Sequence, residues 1–174
     1  MCGIAGFVGS WSPALAAAMT AAIAHRGPDG DGLWSDEGVA LGHRRLSIID
    51  LSDAAAQPMR SADDRYVLTY NGEIYNFRDL RLELEQAGAV FRTGSDTEVL
   101  LALFARDGLE CVKRLNGIFA FAVWDRRDRV LSIARDHLGV KPLYYAVLPQ
   151  GFIFASELKS LTLCPALPRE IDAA

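Results

Sequence analysis

Met1-Cys2-Gly3-Ile4-Ala5-Gly6-Phe7-Val8 sets a cysteine directly ahead of a short apolar run. Gly3 to Val8 reads as a buried strand, and that strand fixes the position of Cys2. Once Met1 is removed, Cys2 carries a thiol and a free α-amine on one residue. A free α-amine ordinarily titrates at roughly 7.7–8.0 and a free thiol at about 8.5, so near neutral pH one can act as base and the other as nucleophile. Taken alone, a cysteine at position two has a second reading in which it carries no function. The remainder of the chain decides between them.

The 174 residues suit one domain with a proper core, and an apolar content of 51% with 23% charged residues supports a folded globule. A net charge of −4 without a long basic run argues against nucleic acid or an anionic membrane surface as partner. No apolar stretch reaches the roughly 18 residues of a membrane span. A basic segment followed by an apolar one is missing at the N-terminus, which argues against a lipid-modified cysteine behind a signal peptide. Cys2, Cys111 and Cys164 are too widely spaced for a disulfide framework or a metal site, and a reducing cytoplasm is expected.

Outward from the first strand, Ser12-Pro13 offers an N-cap and a first-turn proline for a helix over Ala14 to Ala24. Turn formers from His25 to Gly30 end it. Strand character is expected within Val39 to Ile49, around Leu41 and again over Leu46 to Ile49, and over Tyr66 to Tyr70. Asn76 caps a helix from Phe77 to Gln86 closed by Gly88, and Ser95 or Asp96 caps one from Thr97 to Arg106 closed by Gly108. Ile118 to Trp124 is continuously apolar and reads as a central strand covered on both faces. Arg126 to Arg129 is a solvated hairpin tip between it and Val130 to Ala134. Leu143 to Val147 and Phe152 to Ala155 complete the strands. The pattern implies stacked sheets covered by helices. Residues 1–164 form the domain, and 165–174 read as a connector.

Polar clusters interrupt this pattern. His25-Arg26-Gly27-Pro28-Asp29 is a rigid loop carrying both signs, or simply a helix C-terminal turn. Arg44 and Arg45 alternate to opposite faces, so one can point inwards, where a carboxylate is its best match; both can also snorkel to water. Asn71-Gly72-Glu73 is a tight-turn signal, yet an Asn amide beside a Gly N–H also suits a developing oxyanion. Ser95 and Asp96 open a helix as caps, and a carboxylate there turned into a pocket can hold an ammonium group. With Cys2, these residues suit acyl transfer from an amide-bearing α-amino acid.

Met1 to Gly6, His25 to Asp29, Arg45 to Asp50, Asn71 to Asn76 and Gly94 to Glu98 together resemble the class II glutamine amidotransferase domain. Arg135 to Tyr145 and Ala155 to Lys159 resemble its asparagine synthetase branch. The resemblance implies an α+β fold of four layers (αββα), the N-terminal-nucleophile hydrolase fold. It also implies hydrolysis of glutamine to glutamate and ammonia through a γ-glutamyl thioester on Cys2. Arg45 would hold the α-carboxylate and Asp96 the α-amino group. Asn71 and Gly72 would form the oxyanion hole, Glu73 would line the pocket, and backbone groups of Leu46, Ser47, Ile48 and Ile49 would complete it. The loop with His25 and Arg26 would fold over substrate.

No metal or cofactor is implied for this domain. ATP and Mg belong to the synthetase domain that follows in such proteins and consumes the ammonia. That domain, or a separate synthetase subunit, is the expected partner, and an oligomer is possible. His43 and His137 read as hydrogen-bonders, Cys111 and Cys164 as packing residues, and Arg135, Asp136 and Lys141 as organisers of a loop or domain contact. Two rivals remain: a glutamine-binding or docking module with little turnover in isolation, and an ammonia donor to a different acceptor.

Overall fold

A computed structural model describes residues 1–170. In chain order it contains β1 (Gly3–Gly9), α1 (Pro13–Ala21), β2 (Gly30–Asp36), β3 (Val39–Arg45), β4 (Met59–Arg60), β5 (Tyr66–Ile74), α2 (Phe77–Gln86) and α3 (Asp96–Asp107). There follow β6 (Gly117–Asp125), β7 (Val130–Arg135), β8 (Tyr144–Leu148), β9 (Gly151–Ala155) and the short α4 (Leu158–Leu161). One antiparallel sheet has the order β2-β3-β1-β9-β8 and the other β4-β5-β6-β7. Cys2 therefore enters the middle of the first sheet, because β1 pairs with β3 on one side and β9 on the other.

Burial sorts the apolar side chains into three strata, which gives the four layers. Ala5 and Phe7 of β1 pack with Ala16, Met19 and Ile23 against the helix layer of α1 and α4. The alternate residue Ile4, with Leu41, Val67, Ala120, Ala122 and Phe154, fills the space between the sheets. Leu68, Tyr70, Phe119 and Phe121 face Leu100, Leu103 and Phe104 in the layer of α2 and α3. Period-two alternation along each strand thus assigns its residues to one contact or the other. β6 is covered on both faces, as its continuous apolar run implies. The outer strands β2 and β8 are not, since alternate residues there face solvent.

Local signals place most helix ends. Ser12 Oγ accepts from the Ala14 N–H at 3.3 Å, and the first-turn proline follows. The helix stops at Ala21, earlier than expected, and a separate 3₁₀ turn holds Ala24–Arg26. Ser95, not Asp96, caps α3, accepting from Glu98 N–H at 3.3 Å. Asn76 precedes α2 but does not cap it through its side chain. Its amide is spent on Arg114 and Asn116 across the layer.

One strand expectation and one turn expectation fail. Leu46 to Ile49 is loop, because the Leu46 and Ser47 N–H groups turn to the Cys2 sulfur and the Asp29 carboxylate instead of a neighbouring strand. Asn71-Gly72 is no turn: β5 runs on through both, paired with Ala120 and Phe119 of β6. At the C-terminal end, Ala166 and Leu167 pack on the α1–α4 layer, and residues 171–174 of the expected connector lie outside the described residues. Among the described residues no helix is long and apolar enough to cross a membrane.

Polar bonds also tie the two sheets together. His43 on β3 is fully buried, and its Nε2 lies 3.0 Å from the Tyr70 carbonyl on β5. A carbonyl only accepts, so Nε2 carries the proton. Thr69 Oγ1 donates to the Gly42 carbonyl at 3.1 Å beside it. Burial first, with some repulsion from Arg45 and partial opposition from the Tyr70 bond, moves the His43 pKa from 6.5 to about 4.

The unfolded chain therefore binds a proton on this ring at pH values where the folded chain does not. The resulting stability is complete above pH 6.5 and is lost as pH falls towards about 4, a total of about 3 kcal/mol. Urea titrations from about pH 7 to about pH 4 should show that loss, and His43→Gln, which retains a side-chain N–H donor, should lack it. An unchanged slope in the variant would exclude His43 as its source.

Candidate active site

The end of β1 is held rigidly. Ile4 N–H donates to Ser156 Oγ at 2.9 Å, and Ser156 N–H donates to the Ile4 carbonyl at 2.8 Å. Arg26 Nε donates to the Cys2 carbonyl at 2.8 Å, while its Nη1 reaches Glu157 Oε1 at 3.0 Å. Burial pushes the Glu157 carboxyl up, but hydrogen bonds from Arg26, Lys159 and His25 outweigh it and hold the group below the usual glutamate value. Two elements distant in sequence thus meet behind the thiol. On its other side, Cys2 Sγ accepts the Leu46 N–H at 3.3 Å.

A cavity of about 100 Å³ opens at the sulfur, room for a small solute or several waters. Cys2, Arg45, Leu46, Ser47, Ile48, Ile49, Asn71, Gly72, Glu73 and Asp96 all line it. His25 and Arg26 do not: Arg26 grips the Cys2 backbone from behind and His25 faces Glu157. The alternation of β3 separates the two arginines. Arg44 pairs with Asp31 at 3.1 Å, whereas Arg45 turns to the cavity, its Nη2 donating to the Asp50 carbonyl at 2.6 Å.

The outer edge of β5 supplies the donors. β4 covers this edge only at Val67 and Leu68. Farther along, Tyr70 N–H donates to Gln57 Oε1 at 2.6 Å and Ile74 N–H to Asp96 Oδ2 at 3.0 Å. Backbone N–H groups point to the same edge at every second residue. The Gly72 N–H between them therefore faces the cavity that Gly72 lines. Asn71 is buried, and its Nδ2 is an enclosed donor with no partner. Such a group costs about 1–3 kcal/mol unless a ligand satisfies it.

Asp96 sits at the start of α3, where Oδ2 also accepts from the Tyr70 hydroxyl at 2.7 Å. Burial raises its pKa, and the bonds from Tyr70 and Ile74, with the Asp96 and Thr97 amides, counter it in part. The mouth is formed by the loop after β3, fastened by two carboxylates. Asp29 Oδ2 accepts from Ser47 N–H at 2.8 Å. Asp50 accepts from Ser52 N–H and Oγ, at 2.8 and 2.7 Å, and from Gly94 N–H at 2.9 Å. The Ser52 bonds lead in holding the Asp50 carboxyl below its usual range.

Sequence reasoning missed Gln57, Tyr70, Ser95, Thr97 and Lys141 as lining residues. Gln57 had no local signal. Lys141 belongs to the loop that Asp136 organises, accepting Val140 and Lys141 N–H groups at 2.9 and 3.0 Å, and also reaches the cavity. Among the described residues no group of three His, Cys, Asp or Glu side chains is placed to hold a metal ion.

The Cys2 thiol thus shares one cavity with two unpaired donors, with an arginine and with a carboxylate. The family model described as the glutamine amidotransferase domain matches residues 1–174. The chain belongs to this family. Asparagine synthetase (glutamine-hydrolyzing) 1 of Bacillus subtilis is 50% identical to the amidotransferase domain over 143 residues, 82% of this chain and 22% of that protein. Asparagine synthetase B (glutamine-hydrolyzing) of Escherichia coli is 45% identical over 138 residues, 79% of this chain and 24% of its own length. The chain thus spans about a quarter of these relatives. A glutamine phosphoribosylpyrophosphate amidotransferase structure from B. subtilis superposes with a TM-score of 0.80 at 25% identity, over 93% of this chain and 43% of that one. The amidotransferase domain has the αββα N-terminal-nucleophile fold.

Gly72 needs its missing side chain for close approach: a Cβ there would lie 2.5 Å from the Ile118 carbonyl and 2.6 Å from the Tyr70 ring. Gly72→Ala should lower stability by about 1–3 kcal/mol in urea titrations. Gly94→Ala, whose Cβ would meet nothing nearer than Asp50 Oδ2 at 3.8 Å, should be nearly neutral. Equal stability of the two variants would contradict the packing at Gly72.

Proposed function

We propose that this domain hydrolyses L-glutamine to glutamate and ammonia, with Cys2 as nucleophile. The observation that carries the reading is the enclosed, unpartnered Asn71 Nδ2 in the same cavity as the Cys2 sulfur. Arg45 binds the α-carboxylate and Asp96 the α-ammonium, which leaves the side-chain amide directed at Cys2. Glu73 and the loop from Leu46 to Ile49 complete the walls.

The thiol proton passes to the free Cys2 amine as Sγ bonds to the amide carbon. The oxyanion of the tetrahedral adduct accepts from Asn71 Nδ2 and Gly72 N–H, donors that form no competing bond beforehand. The carbon–nitrogen bond then breaks, and the amine returns its proton to the leaving nitrogen, which departs as ammonia. Water attacks the thioester with the same amine as base. Glutamate leaves and the thiol is restored.

The ammonia is destined for an ATP- and Mg-dependent synthetase domain or subunit of the asparagine synthetase kind, joined to residues 1–164 through the connector at 165–174. The relatives' names support this acceptor. The three free cysteines support a reducing, cytoplasmic setting.

Cys2→Ala should abolish ammonia release and leave the fold intact by circular dichroism; undiminished turnover would end the proposal. Asn71→Ala should lower kcat by roughly 100- to 1,000-fold, with a much smaller change in KM. Met1 lines the cavity, and while it remains, the Cys2 nitrogen is an amide without basicity. Material retaining Met1 should be inactive, checked by intact mass and ammonia release on one sample. Equal activity before and after methionine removal would refute the role of the amine. Glutamine binding with negligible release from a correctly processed chain would favour a binding module.

A further inference from the structure

Tyr70 takes no part in the chemistry above, yet it is bonded at every polar atom. It is 2% exposed, its N–H donates to Gln57 Oε1, its carbonyl accepts from His43, and its hydroxyl donates to Asp96 Oδ2 at 2.7 Å. Gly72 has no side chain to displace the ring, whose Cε2 occupies the space a Cβ would need. The phenol therefore comes to the Asp96 carboxylate over a glycine, inside a wall of the cavity that both residues line.

A carboxylate at a helix start has two rotatable bonds and several backbone donors within reach. Tyr70 O–H and Ile74 N–H converge on Oδ2, at 2.7 and 3.0 Å, and fix the plane of the group. Both of these bonds fall on Oδ2, and the Asp96 and Thr97 amides add only lesser contributions to the carboxylate, so Oδ1 is the oxygen left for a ligand. The donor is also persistent. Burial, then the nearby charge of Asp96, pushes the Tyr70 pKa well above 10, so the phenol stays protonated wherever the enzyme is assayed.

We propose that Tyr70 is a positioning residue for α-amino recognition, orienting Asp96 so that its free oxygen meets the ammonium of the amino-acid substrate. The inference rests on the assignment of Asp96 to that ammonium. It adds a specificity device: discrimination between an α-amino acid amide and the same amide without the amino group depends on one hydroxyl that never touches the substrate. Tyr70 acts through Asp96 and not on the scissile carbonyl, so the chemical step is spared.

The test is Tyr70→Phe in the full chain with a free Cys2 amine. Two quantities are measured: kinetics with L-glutamine, and the inhibition constant of 4-carbamoylbutanoate, the desamino analogue, against glutamine hydrolysis. KM for glutamine should rise about tenfold, the cost of losing a hydrogen bond to a charged group, with kcat within about twofold. The inhibition constant of the analogue should not change. A general loosening of the cavity would raise both constants together, and an unaffected glutamine KM would mean that Asp96 is oriented without the phenol; either result overturns the inference.

Asp96→Asn separates this from failure of the underlying assignment. It should raise the glutamine KM and spare the analogue. If Asp96→Asn does so and Tyr70→Phe does not, only the positioning role is lost. If Asp96→Asn leaves the glutamine KM unchanged, the assignment of Asp96 itself falls.

Discussion

Buried hydrogen bonding between β3 and β5, centred on His43, sets the relation of the two sheets. Cys2 is carried by the sheet containing β1, while Asn71 and Gly72 belong to β5 in the other. Apolar packing between Ile4, Leu41, Ala120 and Phe154 is non-directional and can tolerate sliding. The His43 Nε2–H to Tyr70 carbonyl bond cannot, since it needs one donor on β3 opposite one acceptor on β5. β3 is paired to β1 through His43 and Ile4, and Tyr70 is followed at once by Asn71. The His43–Tyr70 bond, with that from Thr69 Oγ1 to the Gly42 carbonyl beside it, therefore fixes Asn71 relative to Cys2. The ring stays neutral because burial makes its charged form costly, which keeps a second cation away from Arg45.

Around this contact, carboxylates hold loops by accepting backbone N–H groups. Asp29, Asp50 and Asp136 each fasten a segment that lines the cavity or its mouth. These local bonds leave Arg45 Nη1 and Asn71 Nδ2 free to meet a ligand. The cavity's arginine and carboxylate thus come from separate elements, β3 and α3, each positioned by a different set of bonds. In the proposed function, the arrangement recognises the two ends of an α-amino acid before it acts on the amide.

The layering was legible because apolar alternation and cap residues are local properties. The run Ile118 to Trp124 could only be a covered strand, and Ser12-Pro13 and Ser95 marked helix starts correctly. Asn71-Gly72 misled because its dipeptide preference is for a turn, whereas pairing with β6 and the Tyr70 ring require an extended strand with no side chain at Gly72. Leu46 to Ile49 misled in the opposite sense: its β-branched residues mark a strand, but Cys2 and Asp29 claim its amides. Gln57 and Lys141 enter the cavity through long-range folding alone, and no spacing could announce them. Arg26 was expected on a loop over substrate, but its guanidinium bonds the Cys2 carbonyl and Glu157 behind the thiol instead.

The unmatched amide of Asn71 has a cost for the molecule at rest. Nδ2 is enclosed and the protein supplies no acceptor for it, so the folded state carries an unmatched buried donor. In the proposed hydrolysis, an acceptor that arrives with the reaction, and bears most negative charge midway through it, relieves that penalty when relief accelerates turnover most. Selection for sturdiness and selection for speed therefore oppose each other at this one side chain. An apolar isostere here would make a hardier protein and a slower one.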